Sequence, residues 1–308
     1  MIEIKNLVKN YKNFKAVKDI SLSLEPGDAF GFLGPNGAGK TTTIKILATL
    51  LSPSGGDAFI GGYSVRKDPE KIRKIMGYMP DFFGIYDQVK AWEYLDFFAS
   101  AYKVEKSRRK TIISDVLELT DLYGKRNDYV DNLSRGMKQR LCLARVLIHD
   151  PQVLLLDEPA SGLDPRARIE MRALLKELRT MGKTIFISSH ILTELADLVN
   201  KIGIIEAGQL LAFGEVDMIL KELAPVKVMK LNVLESTDMA VKILEQSCHV
   251  NKIDVKERTI QFEFKGTDDE LSDLVKKLVT EGVKLVGLQE QKVDLESVFM
   301  KITQGVVA

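Results

Sequence analysis

Cysteine is nearly absent from the 308 residues: Cys142 and Cys248 stand far apart, with no CxxC spacing and no histidine cluster beside either. That argues against a disulfide framework and a structural zinc site, and points to a reducing compartment. Excess charge is missing too. Charged residues make up 28% of the chain, yet the formal net charge is +1. There is thus no global basic field of the kind that marks a non-specific nucleic-acid binder, and no nucleic-acid partner is expected. No run approaches the roughly 18 apolar residues a membrane helix needs. The opening MIEIKNLVKNYKNFK lacks the apolar core of a signal peptide. The expected setting is the cytosol, with any membrane role coming through a partner. Low-complexity segments and internal repeats are absent, and the length suits a core of roughly 200 residues plus a smaller domain.

What is present changes texture along the chain. Up to about Tyr63, short alternating runs (IEIKNLV, VKDISLSLE, DAFGFLG, DAFIGGYSV) broken by Pro26-Gly27 and Ser54-Gly55-Gly56 predict strands and turns. One helix, TTTIKILATLL, interrupts them. Over about 82–149 the apolar spacing becomes helical (AWEYLDFFASAYKV, RRKTIISDVLELTDL, GMKQRLCLARVLIH), which predicts a helical insertion. QVLLLDE and KTIFISS then flank the helix PRARIEMRALLKELRTMG, a βαβ pattern for a parallel sheet buried on both faces. A hairpin-like IGIIEAGQLLAFGE closes this part. Residues 225–308 follow a β-α-β-β-α-β order plus a last helix, LESVFMKI, as in a ferredoxin-like split unit. Its only histidine, His249, stands beside no patterned acid, so a regulatory or dimerising module is expected there, or else a packing appendage. The fold class expected is α/β: a larger domain at 1–224, with an antiparallel β subdomain and helical insertion, and an α+β domain at 225–308.

The chemistry concentrates in a few stretches. GPNGAGKT, Gly34 to Thr41, follows a strand and opens a helix, the context that the phosphate loop GxxxxGK[ST] requires. Its glycines let successive N–H groups turn inward as an anion nest, and the helix N-terminus adds positive potential. Gly34, Pro35, Asn36, Gly37, Ala38, Gly39, Lys40, Thr41 and Thr42 are the expected nucleotide contacts. Lys40 would serve the β and γ phosphates and the Thr41 hydroxyl Mg²⁺. Asp157, ending the buried strand in VLLLDEP, is the expected second metal ligand. Glu158, facing the other side of the backbone, can polarise a water for attack on the γ-phosphoryl group. His190, ending TIFISSH, falls on the same sheet edge, where it either touches the γ-phosphate or is structural.

With these motifs in place, about Met1 to Gly214 resembles the nucleotide-binding subunit of ABC transporters, most closely the exporter-type subgroup serving permeases of drugs, ions, lipids or polysaccharides. The resemblance implies ATP and Mg²⁺ as ligands and a P-loop NTPase core. LSRGMKQR takes the place of the family's signature LSGGQ, which closes over ATP held by a second subunit. Ser134 and Gly136 match it; Arg135 and Met137 replace a glycine and the glutamine. Arg135 there adds a cation or faces solvent. Tyr11 matches the aromatic that stacks on adenine, although strand packing would explain it equally. Asp164 in SGLDP matches the loop linking the two sites of a dimer. Asp81, ending MGYMPD, occupies the place of a glutamine that senses Mg²⁺, and is expected in the metal or water shell.

The implied activity is ATP hydrolysis in a sandwich dimer, homodimeric or heterodimeric, driving export through a separate transmembrane permease. Such a subunit would be cytoplasmic and peripheral on the inner face of the cell membrane. The aromatics of FFGIY and AWEYLDFFASAY either receive that permease or belong to the core. The rival is a soluble ABC ATPase acting on ribosomes or DNA. Members of that kind carry two cassettes per chain or long coiled-coil insertions, and this sequence has neither.

Overall fold

A computed structural model describes residues 1–81, 84, 88–191, 195, 197–223 and 227–291. The chain divides into two compact units between Val216 and Asp217. In chain order the first contains β1 (Ile2–Tyr11), β2 (Phe14–Leu24), β3 (Ala29–Leu33), α1 (Lys40–Leu47), β4 (Gly55–Ile60), β5 (Tyr63–Ser64), α2 (Pro69–Ile75) and β6 (Met76–Met79). There follow the three helices α3 (Ala91–Ala101), α4 (Lys106–Leu119) and α5 (Arg135–Leu147), then β7 (Val153–Asp157), α6 (Pro165–Thr180), β8 (Thr184–Ser189), β9 (Lys201–Glu206) and β10 (Gln209–Glu215). The second holds α7 (Val216–Leu223, from its second residue on), β11 (Lys227–Val233), α8 (Thr237–Glu245), β12 (Val250–Lys256), β13 (Thr259–Phe264), α9 (Asp268–Thr280) and β14 (Leu285–Gln291).

Two sheets build the first unit. One is antiparallel in the order β2-β1-β4-β5; the other runs β10-β9-β3-β8-β7-β6, parallel except for the β10–β9 hairpin. Every residue of β3, β7 and β8 is buried, as continuous apolar runs covered on both faces require. Phe186 on β8 meets Phe30 and Phe32 on β3 edge-on, at centroid separations of 4.9 and 5.4 Å, within the favourable range for aromatic pairs. The register sets Phe32 opposite Ser188 and Ser188 opposite Asp157. The carboxyl ends of β3, β8 and β7 therefore lie level, and ligands of open α/β sheets bind at that edge.

The connection β7-α6-β8 is the expected βαβ unit. Asp164 caps α6 by accepting from the Ala167 N–H at 2.9 Å, Pro165 fills its first turn, and Met171, Leu174, Leu175 and Leu178 form its buried stripe. The helical insertion is present as α3, α4 and α5, each packed against the other two. Two elements carried little sequence signal: α2, seven residues long, and β6, four residues that include Gly77. Period cannot reveal a strand that short; pairing with β7 makes it one.

In the second unit the strand order β12-β13-β11-β14, antiparallel throughout, is the ferredoxin-like arrangement. Met229, Leu231 and Val233 of β11 and Ile260, Phe262 and Phe264 of β13 bury one face against Ala240, Ile243 and Leu244 of α8 and Leu274 and Leu278 of α9. The last helix expected from LESVFMKI lies outside the described residues.

Candidate functional site

The loop after β3 is shaped by glycines that no other residue could replace. A Cβ on Gly34 would stand 2.2 Å from the Ile205 carbonyl oxygen. Gly39 has φ +108, and a Cβ there would meet the Ala16 oxygen at 2.6 Å. Positive φ combined with close backbone approach leaves glycine alone. The loop delivers Lys40 into the sheet edge as the first residue of α1. There its ammonium donates to the Gly34 carbonyl at 2.6 Å and the Pro35 carbonyl at 3.1 Å, and stands 3.4 Å from Glu158 Oε1. Burial pushes the Lys40 pKa below its ordinary value, opposed by the negative charge of Glu158 and Asp157.

Asp157 is 1% exposed, so its carboxylate has to be satisfied inside the protein. Oδ1 accepts from Ser188 Oγ at 2.6 Å and from Thr41 Oγ1 at 3.2 Å. Glu158 leaves the strand at φ +50, left-handed backbone that is strained for a glutamate. Its N–H donates to Ser188 Oγ at 3.0 Å. That turn sends the two adjacent acids to different partners. Oε2 of Glu158 sits 2.8 Å from His190 Nδ1, while its buried Oε1 has no hydrogen-bond partner. Lys40, Glu158 and His190 thus form one chain at the ends of α1, β7 and β8. Ser188 is the functional residue that sequence reading passed over. It lies in the quoted TIFISSH, but its role depends on strand register.

A second cluster joins the two helix starts. Ser134 caps α5, its Oγ accepting from the Met137 N–H at 3.3 Å. A Cβ on Gly136 would stand 2.9 Å from Ala167 Cβ, so the start of α5 packs tightly on α6. Arg135 Nη2 donates to the Ser161 carbonyl at 3.2 Å, and its guanidinium fills the space over Gly162, whose φ is +67. The side chain is exposed yet anchored, so it adds a cation that is held to the loop ending at Asp164.

An ABC transporter family profile matches residues 17–161. The bacitracin transport ATP-binding protein BcrA of Bacillus licheniformis is 35% identical, over 99% of this chain and 98% of that one. The chain belongs to the ATP-binding subunits of ABC transporters. The Nod factor export ATP-binding protein I of Burkholderia orbicola is 38% identical over 69% of this chain and 70% of its own. A dimeric ATP-binding cassette solved in a post-hydrolysis state with ADP and Pi covers 70% of this chain and 99% of its own, with 25% identity and a TM-score of 0.63. As an ABC subunit the protein binds and hydrolyses ATP, and no helix among its described residues is long and apolar enough to cross a membrane.

The remaining expected site residues of this ABC subunit occupy distinct places. Tyr11 ends β1 opposite Phe14 of β2, with 43% of its surface exposed and Lys9 Nζ 5.3 Å from its ring centroid. Asp81 follows β6 on the surface. The Tyr78 hydroxyl, buried without a partner, is pushed up to about 12 by desolvation and then by the charges of Asp157 and Asp81. Among the described residues no three of His, Cys, Asp and Glu are arranged to hold a metal. The protein offers instead a hydroxyl and a carboxylate 3.2 Å apart, Thr41 and Asp157. Two hard oxygens fit Mg²⁺, which keeps most of its shell as water and phosphate oxygen.

The aromatics of α3 divide: Tyr94 is buried, whereas Trp92 and Phe97 are exposed; FFGIY, apart from Gly84, lies outside the described residues. His249 does have an acid beside it. The fold brings Glu270 Oε1 to 3.4 Å from its Nε2 across a separation in sequence that no pattern reveals.

Proposed function

We propose that this ABC subunit drives export through a separate membrane permease, working as a sandwich dimer. The observation that carries its ATP-hydrolysing step is the convergence of Lys40, Glu158 and His190 at the carboxyl edge of β7 and β8, beside the phosphate loop. ATP enters with its phosphates on the Gly34–Thr42 backbone and its adenine against Tyr11. Lys40 exchanges its two carbonyl partners for β- and γ-phosphate oxygens. Glu158 Oε1, lacking a hydrogen bond, accepts one from the attacking water. The water oxygen forms its bond to phosphorus as the β–γ bridging bond breaks, and the proton passes to the carboxylate or the released phosphate. His190 orients the carboxylate through Oε2 and reaches toward the γ-phosphate. Thr41 and Asp157 would hold Mg²⁺, with Asp81 in its outer shell; bound there, the ion neutralises charge on the phosphate oxygens.

Ser134 and Gly136 complete the site of the second subunit, because a serine hydroxyl and free N–H groups at a helix start form an anion site of their own. Asp164 and its loop, held by Arg135, link the two sites. The C-terminal unit is assigned to regulation or dimerisation. The names of the relatives, transport for one and export for the other, support the export reading, and a peripheral place at the inner membrane face follows from it.

Affinity purification of the tagged chain from detergent-solubilised membranes, followed by mass spectrometry, tests this. A stoichiometric multi-span protein is expected; ribosomal or chromosomal partners without one would overturn the transport assignment. Asp81→Ala is expected to weaken the Mg²⁺ dependence of turnover about 10–100-fold, the usual effect of losing an outer-shell partner. Unchanged Mg²⁺ titrations would remove Asp81 from the site.

A further inference from the structure

Away from the ATP site, the helical insertion contains a cavity of about 420 Å³ between α3, α4 and the Tyr123–Asn127 segment. That is a volume suited to a small organic molecule, in the range where ligand pockets lie. Ile113 and Leu117 line it from α4 and are themselves 6% and 1% exposed, so the wall they form is apolar and set in the core. Trp92 and Tyr123, 40% and 41% exposed, add aromatic surface.

The charge around this wall is one-sided. Lys106, Arg109, Lys110 and Arg126 line the cavity, and Asp96 is the one acid among its lining residues. Asp96 Oδ1 lies 3.9 Å from Arg109 Nη1 and offsets a single cation. The two guanidiniums are held in place: Arg109 Nε donates to the Val104 carbonyl at 2.9 Å and Arg126 Nη1 to the Tyr123 carbonyl at 3.1 Å. Arg126 also lies 4.5 Å from the Tyr123 ring centroid, in cation–π contact. The Trp92 backbone N–H donates to the Arg126 carbonyl at 3.0 Å, which ties the start of α3 to the same segment. Anchored cations around an apolar, aromatic-sided wall lose little freedom when a ligand arrives.

We infer that this cavity is a binding site for a small amphipathic anion, a phosphate or carboxylate head on an aromatic or apolar body. The head pairs with Lys106, Lys110 and the two guanidiniums, and the body lies against Ile113, Leu117 and the ring of Trp92. A free inorganic anion would leave the apolar wall unused, and an uncharged apolar molecule would leave the cations unpaired. The site is independent of the ATPase assignment, since none of its residues belongs to the phosphate loop, the acid pair or the signature loop.

Trp92 is the only tryptophan in the chain, so the full-length ¹⁵N-labelled protein gives a single indole N–H resonance, from a side chain that lines the cavity. The test titrates that resonance with 1-naphthyl phosphate, with 1-naphthol and with inorganic phosphate. A saturable shift is expected with naphthyl phosphate, at concentrations where the other two produce little. Lys106 and Lys110 are exposed, one turn apart near the start of α4, where glutamate suits the helix dipole. Lys106→Glu/Lys110→Glu protein should therefore fold normally and bind naphthyl phosphate at least about tenfold more weakly. Absence of any shift, an equal response to naphthol or to inorganic phosphate, or unchanged affinity in the double variant would each overturn the inference.

Discussion

Glu158→Gln protein is expected to bind ATP normally and hydrolyse it about 10²–10⁴-fold more slowly, the range by which a positioned base contributes. The substitution keeps the shape of the side chain and removes only its charge. Lys40 keeps its hydrogen bonds to the Gly34 and Pro35 carbonyls, and the Glu158 backbone N–H keeps Ser188. The anion nest is thus unaltered while the group that polarises water is lost. Single-turnover phosphate release, measured beside equilibrium binding of a fluorescent ATP analogue, separates the two quantities. Turnover at the wild-type rate would show that Glu158 is not the base. Loss of binding together with turnover would assign it a structural role through Lys40.

Replacing Lys40 by alanine should act on the step before. The ammonium is the one mobile charge that the phosphate loop directs at its ligand, and hydrogen bonds to charged groups contribute about 1.5–3 kcal/mol each. Two such contacts correspond to at least about a hundredfold in affinity. The readout is ATP-dependent thermal stabilisation. At ATP one hundred times the wild-type dissociation constant, binding raises the unfolding free energy by about 2.7 kcal/mol, and that rise should almost vanish in Lys40→Ala. Stability without nucleotide is measured in parallel and is expected to fall, because the alanine leaves the buried Glu158 and Asp157 carboxylates without the ammonium that offsets them. An undiminished ATP-dependent shift in the variant would exclude Lys40 from phosphate binding.

The two substitutions probe residues whose positions were legible to different degrees. Lys40 is written in the sequence: four fixed positions of a loop, each demanded by backbone geometry or charge, bring it to the phosphates wherever a strand precedes and a helix follows. Asp157 and Glu158 were legible as a pair because a continuous apolar strand ends at them. Their opposite partners were not. The sharp turn at Glu158, with φ +50, and the Ser188 hydroxyl that accepts its N–H arise from β8 lying between β3 and β7.

Whatever is contiguous, or repeats at the period of a helix or strand, the sequence determined by itself. This covers the phosphate loop, the acid pair, the capped starts of α5 and α6, the βαβ unit and the β-α-β-β-α-β order of the second unit. Local sterics and solvent exclusion act within a few residues, so a short stretch contains all the information they need. Tertiary structure alone decided which distant groups meet. Arg135 came to rest over Gly162, Ser188 beneath both acids, His249 beside Glu270, and Arg126 beside three cations of α4 around one apolar wall. Those contacts depend on strand order and helix packing, which are set by burying the whole apolar surface at once, and no stretch of the chain carries that sum.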